Sequence, residues 1–321
     1  AARAYDSIAW SLVQGTGYTE TTSPVPDSAI GRLGPGYEFF LAGIYWIFGH
    51  KIWVVWIIQS FLHTASAFLV YRLIRRLYTD KSFENFAAIG AGFYIFYIDL
   101  LEFPAMLLTE TLYLFLVLLG LNFTLLMWQG PSRRNVLATS IIFTLAILVR
   151  PPVTVLMLIS LGFLVYKRLW LKAVLFILTA VIILTPWTVR NYLKYHLFIP
   201  TTYIIGYDLW VGNSPGSKYI GELTATDEIN QYSSEKGVFA ANERGKKEFF
   251  KLIFSEPLEF IKLLLAKTSI YFSASRPAAF WFHLSGVSQL LTIIFSSSFF
   301  FVISVFGLSG LWLYLKKRDL I

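Results

Sequence analysis

Residues 133–168 read RRNVLATSIIFTLAILVRPPVTVLMLISLGFLVYKR, an apolar stretch with two basic residues at each end and Arg150-Pro151-Pro152 near its middle. One long helix kinked at the prolines and a hairpin of two short helices both satisfy the hydropathy. The flanking charges decide between them. Short basic loops stay on the cytoplasmic side of a membrane. Arg133/Arg134 and Lys167/Arg168 can both lie there only if the chain crosses twice between them, with Arg150 on the far side. The stretch therefore predicts two antiparallel helices over 136–149 and 152–166, and with them an all-α polytopic membrane protein. Each is shorter than the usual span of about 20 residues, so the pair needs tilt or a locally thinned bilayer.

The same parity organises the rest of the chain. Further apolar runs lie at 51–74, 86–101, 105–128, 170–188 and 285–315. Basic clusters mark their inner ends: Arg72, Arg75, Arg76 and Lys81; Lys172; and Lys316, Lys317 and Arg318. A charge and a proline at Glu102-Phe103-Pro104 divide 86–128 into two passes. Residues 1–50 then form an external first loop with juxtamembrane helices, 51–188 a transmembrane bundle, 189–284 an external segment, and 285–321 a last helix with a cytoplasmic tail. An external start ahead of seven helices is economically explained by a further transmembrane helix preceding Ala1. Within the first loop, 37–49 (YEFFLAGIYWIFG) is too short to span and rich in aromatics, as an interfacial helix is. In the external segment, 235–254 reads as a helix with Glu243 and Lys247 spaced i,i+4, and Ser255 as the cap of a second helix with Pro257 in its first turn.

Composition agrees. Hydrophobic residues fill 56% of the 321 positions and charged ones 14%, against about 25% charged in a soluble domain, and the mean hydropathy is +0.61. The net charge of +8 is read as topology, with no nucleic-acid partner. Lacking cysteine, the chain has no disulfides, thiolate catalysis or cysteine metal sites. His50, His63, His196 and His283 show no ligand spacing, so no cofactor is expected, and no feature argues for a carboxylate-bound divalent ion. Gly34-Pro35-Gly36 has neither Walker nor Rossmann spacing, which argues against a glycine-rich nucleotide-phosphate loop.

Asp6, Arg32, Glu102, Glu110, Arg150, Arg190 and Asp208 come from distant parts of the sequence, yet the topology sets them all at the outer face. A charge inside or at the edge of a span is expensive and points to function by default. Glu110 is the sharpest, about a turn and a half into the run 105–128; its structural alternative is an interfacial acid paired with Arg150. Arg150 and Arg190 have the alternative of helix-end anchors, and Asp6 that of a solvated helix face.

The string Tyr5-Asp6-Ser7-Ile8-Ala9, Gly15-Thr16-Gly17-Tyr18, Arg32-Leu33-Gly34-Pro35-Gly36-Tyr37-Glu38-Phe39-Phe40-Leu41-Ala42 and Phe48-Gly49 resembles the first external loop of GT-C glycosyltransferases. More narrowly it is similar to the bacterial branch related to protein O-mannosyltransferases and the lipid A aminoarabinose transferase. Leu108-Thr109-Glu110-Thr111-Leu112, Arg150-Pro151, Pro186-Trp187-Thr188-Val189-Arg190-Asn191-Tyr192 and Gly206-Tyr207-Asp208-Leu209-Trp210-Val211-Gly212-Asn213 extend the resemblance to residue 213. It implies a GT-C-like helical bundle in a bacterial plasma membrane, its site facing the periplasm or exterior. It also implies transfer of a sugar from a polyprenyl-phosphate carrier to a lipid, glycan or protein acceptor. Such a donor already has a good leaving group, so the enzyme must deprotonate the acceptor with a carboxylate and hold the departing phosphate with arginine. By the resemblance Asp6 is the base, Arg32 sits near the phosphate and Glu110 takes the cavity's second acidic position. Tyr37, Arg150, Arg190, Asn191, Asp208 and Asn213 fall in the matching motifs and are expected to bind substrate. One departure matters: in relatives a leading Asp falls about a helical turn before the tyrosine matched by Tyr5, a position that here is Ala1 or precedes it. Asp6 is the only acidic residue in that first stretch. Three alternatives stay open: a transporter or flippase of lipid-linked sugars, with inverted repeats and midplane charges; a ligase or polymerase of surface polysaccharide; and a non-catalytic assembly partner.

Overall fold

The computed structural model describes residues 2–23, 25, 27–32, 34–78, 84–213, 227–272 and 286–318, and among them every regular element is helical. Helices α1 (Ala2–Val13) and α2 (Gly36–Phe48) precede α3 (Ile52–Leu77). Next come α4 (Glu84–Phe96) and the short α5 (Ile98–Leu101), where the chain bends by 57°. The bundle continues through α6 (Glu110–Gln129), α7 (Arg133–Val149), α8 (Thr154–Tyr166) and α9 (Trp170–Tyr195). The segment beyond holds α10 (Ile205–Asn213), α11 (Asp227–Ser255) and α12 (Pro257–Tyr271), before the closing α13 (Gly286–Arg318). Among the described residues α3, α6, α9 and Gly286–Gly310 are long and apolar enough to cross a bilayer, and α4 with its bent continuation adds a fifth candidate. The chain is an integral membrane protein.

The hairpin expected from residues 133–168 is present. Arg150 is extended, Pro151–Val153 forms one 3-10 turn, and α8 starts at Thr154. Leu164, near the end of α8, is buried in one cluster with Met127, Val136, Ala173 and Phe176. A helix continuing straight from α7 would carry Leu164 about 40 Å from Val136, so the chain reverses. Polar clamps hold the neighbours together where an apolar solvent gives helices little reason to associate. The Thr124 and Ser160 hydroxyls lie 3.1 Å apart, and Ser140 Oγ donates to the Phe176 carbonyl at 2.7 Å. Arg72, Arg76 and Arg134 border one cavity, so the end of α3 and the start of α7 share one end of the bundle. Lys81, His283 and Ala1, along with the side chains of Lys317 and Arg318, lie outside the described residues.

Three local expectations change. Glu110 does not lie inside a span: Phe103–Ala105 makes a 3-10 turn at Pro104, Met106 is extended, and α6 begins at Glu110 itself. The carboxylate therefore sits at a helix N-terminus, where the backbone dipole favours it. Helix α9 runs through Arg190 and Asn191 to Tyr195, past the expected boundary at 188. Ser255 closes α11 rather than capping α12, whose cap position is Glu256, with Pro257 in the first turn.

The interfacial helix appears one residue earlier than expected, at Gly36–Phe48. It buries Tyr37, Leu41, Ile44 and Tyr45 on one stripe and leaves Phe39, Trp46, Ile47 and Phe48 exposed. Glycines seat it. A Cβ at Gly34 would meet the Leu148 carbonyl oxygen at 2.2 Å, and one at Gly36 would meet Val149 side-chain and backbone atoms at 2.9 Å. The first loop thus lies directly on the last turn of α7, next to Arg150.

Candidate active site

At the end of the bundle away from the basic cavity, charged groups gather around Tyr5 of α1. Burial raises its hydroxyl's pKa most, the charges of Glu38 and Glu110 raise it further, and those of Arg150 and Arg32 oppose them. Glu110 Oε1 accepts from Arg150 Nη1 at 2.8 Å, and its Oε2 accepts from the Thr109 hydroxyl at 3.2 Å. The Arg150 guanidinium also lies 5.8 Å from the Tyr113 ring centre. Of the residues singled out in the sequence, Glu110 and Arg150 are in direct contact, Arg190 and Asn191 are bonded to each other, and Arg32 lies in the loop that packs through Gly34 on Leu148, two residues before Arg150.

Arg32 points its guanidinium fork at Glu20, donating through Nε (3.0 Å) and Nη2 to the two carboxylate oxygens. A cavity of about 150 Å³ opens beside it, lined by Tyr207 and by the hydroxyl-bearing Ser23, Ser28 and Ser233. The segment before α10 closes one side of the loop: Thr202 Oγ1 donates to the Ile30 and Arg32 carbonyls, and Tyr203 N–H donates to Ile30 at 3.1 Å. Trp187 Nε1 donates to the Thr201 carbonyl at 2.7 Å, fixing that segment to α9.

Asp6 lies on a neighbouring face of α1. Its Oδ1 accepts from the Tyr45 hydroxyl at 2.6 Å and lies 2.8 Å from His50 Nε2. His50 stacks on Trp10, with centres 4.7 Å apart. The contact joins α1 to the end of α2 and orients the carboxylate.

The remaining expected residues are tied into the fold. Tyr37 is fully buried and donates to Gln59 Oε1 at 2.9 Å, while Gln59 Nε2 donates to the Pro104 and Met106 carbonyls. Asn191, also fully buried, accepts from Arg190 and donates to the Ile199 carbonyl. Arg190 packs over Tyr18, Trp187 and Tyr195, with 5.0 Å to the Trp187 ring centre. Asp208 is exposed in the first turn of α10. Asn213 accepts from Lys267 Nζ at 2.7 Å and so joins α10 to α12.

Two carboxylates were missed by the sequence reading. Glu20 is hidden by its pairing with Arg32, which no local pattern announces. Glu38 is fully buried with neither oxygen hydrogen-bonded. Desolvation pushes its pKa up to about 8, with the Arg32 charge opposing and Glu20 reinforcing. Its signal was present, since an acid in the aromatic helix 37–49 obeys the same rule that singled out Glu110. Among the described residues no three His, Asp or Glu side chains group as metal ligands.

Residues 32–189 match the family described as dolichyl-phosphate-mannose-protein mannosyltransferase. No curated protein and no solved structure matches the chain.

Proposed function

We propose, from the chain's membership of the GT-C superfamily, that it moves a sugar from a polyprenyl-phosphate carrier to an acceptor hydroxyl at the external face of a bacterial plasma membrane. The family supports a glycosyltransferase of mannosyltransferase type with a lipid-linked donor. The observation that carries the finer reading is the 2.8 Å pair of Glu110 and Arg150 beside the first loop, which carries Arg32 and Glu38 and packs through Gly34 and Gly36 on Leu148 and Val149.

The chemistry divides among these groups. The acceptor oxygen attacks the anomeric carbon, the bond from that carbon to the phosphate oxygen breaks, and the proton must go to a base. Glu110 has both oxygens engaged, Glu20 is held by Arg32, and Glu38 largely keeps its own proton at neutral pH. Asp6 has only Oδ1 engaged, by Tyr45 and His50, so Oδ2 is the oxygen suited to take the proton. The carrier phosphate leaves as an anion, and the N–H groups that Arg32 and Arg150 do not spend on Glu20 and Glu110 suit it. The neighbouring serine hydroxyls add neutral donors at Arg32. The acceptor is a lipid, glycan or protein hydroxyl.

The test is transfer from a radiolabelled polyprenyl-phosphate sugar by the purified protein in lipid. Arg32→Ala should lower turnover at least a hundredfold, with Arg32→Lys intermediate because it keeps the charge and loses the fork. An alanine variant that transfers at the normal rate removes Arg32 from the site and this reading with it.

A further inference from the structure

The opposite end of the bundle holds a second built cavity, of about 400 Å³, between α3, α6 and the start of α7. Arg72 and Arg76 reach it from the last turns of α3, spaced i,i+4 on one face, and Arg134 reaches it from the first turn of α7. Arg76 is fixed in place: its Nη1 donates to both the carbonyl (2.8 Å) and Oδ1 (3.1 Å) of Asn122. Asn122 is itself buried in the seam, donating to the carbonyls of Leu69 and Leu118. This leaves Nε and Nη2 of Arg76 uncommitted on a pinned side chain.

Among the described residues nothing negative answers these charges: no acidic side chain lines the cavity and none of the three arginines makes an ion pair. The start of α7 adds the positive end of a helix dipole to the same space. Three guanidinium groups around one partly desolvated cavity repel one another unless an anion joins them. The rest of the lining fits an amphiphile: Leu119, Phe123 and Leu126 continue along α6 from the charged mouth into the apolar bundle. A free phosphate would gain nothing from that wall, whereas a lipid would place its first methylenes there.

We propose that this cavity binds the phosphate head group of an anionic phospholipid, with Arg72, Arg76 and Arg134 as its donors. Arginine forks match phosphate oxygens, and basic pockets between transmembrane helices on one leaflet are suited to such head groups. The site is separate from the glycosyl-transfer site and does not depend on that assignment.

The test is native mass spectrometry of the full chain released from detergent, with phosphatidylglycerol or phosphatidylcholine added. The wild type should retain phosphatidylglycerol at least tenfold better, and Arg72→Gln with Arg134→Gln should abolish that preference. Both side chains are exposed, so their loss leaves packing intact. Arg133→Gln removes the same charge outside the cavity lining and should leave retention unchanged. Equal retention of the two lipids, or an equal loss with Arg133→Gln, would overturn the proposal in favour of unspecific surface charge. Displacement of phosphatidylglycerol by millimolar inorganic phosphate would assign the cavity to a soluble anion and overturn the lipid. Should the double variant not fold, the thermal midpoint of the wild type decides: it rises with phosphatidylglycerol and not with phosphatidylcholine, or the site is not there.

Discussion

Glu110 and Arg150 are each about a quarter to a third exposed, so their 2.8 Å ion pair is screened and worth about 1 kcal/mol rather than the cost of a buried charge. The helix N-terminus adds a further favourable term for the carboxylate. Stability alone is thus a weak reason for the pair. Glu110→Gln should fold and insert normally while transfer falls at least tenfold, and adding Arg150→Gln should not restore it. If the double variant regains both stability and activity, the pair is only a mutual counter-ion. Glu38 makes the sharper statement about pH. Its folded pKa of about 8 lies far above that of an exposed glutamate, so the folded state holds a proton that the unfolded chain has released. The protonated carboxyl costs nothing below about pH 4; stability then falls as pH rises, levelling off above about 8, by a few kcal/mol in all. Glu38→Gln should match the wild type in thermal midpoint at pH 4.5 and exceed it at pH 8. A variant less stable than wild type at pH 8 contradicts this.

At the scale of the element, the contact of the first loop with α7 is the most exacting. Gly34→Ala places a methyl group at 2.2 Å from the Leu148 carbonyl, so the loop carrying Arg32 must lift or the helix end must shift. The expected result is about 1–3 kcal/mol of lost stability, at least a tenfold loss of transfer, and new proteolytic cleavage within residues 15–35 while the bundle persists. Normal activity would mean that loop placement is unimportant to the reaction. The elements themselves were legible where charge and hydropathy acted together. The α7–α8 hairpin followed from its flanking arginines and lysines, and α2 from its aromatic run ending at Gly49. The start of α6 was not legible, because Pro104 interrupts the run without saying where helix resumes. Of the candidate site, Glu110 and Arg150 stood out as charges beside apolar sequence, and the structure pairs them, which is the structural alternative to a substrate role. The burial of Glu20 and Glu38 comes from contacts with Arg32 and with the packed loop, which arise only when distant segments meet.

The whole molecule separates its charges by end. In α3, α6, α7 and α9 every Asp, Glu, Lys and Arg lies within the terminal turns. Midplane charges, the mark expected of a transporter, do not occur in these four helices. If the basic end is cytoplasmic, a cysteine at Ser23 is labelled by a membrane-impermeant thiol reagent in intact cells and one at Ser132 is not. Labelling at Ser132 alone inverts the orientation. Ser217, a natural third probe, lies outside the described residues.

The brevity of one arm of the hairpin has a geometric consequence. Residues Pro151–Tyr166 span about 24 Å, against an apolar core of about 30 Å. If its basic end is moored at the inner leaflet, the tip at Arg150 stops several ångströms short of the outer leaflet's head groups, and the lipids around it must dip to meet it. On the proposed function, the candidate site would then stand at the floor of a shallow crater in the membrane rather than on a platform above it. A carrier whose sugar rides at head-group level would slide in sideways along the leaflet, and a soluble acceptor would have to reach down into the basin.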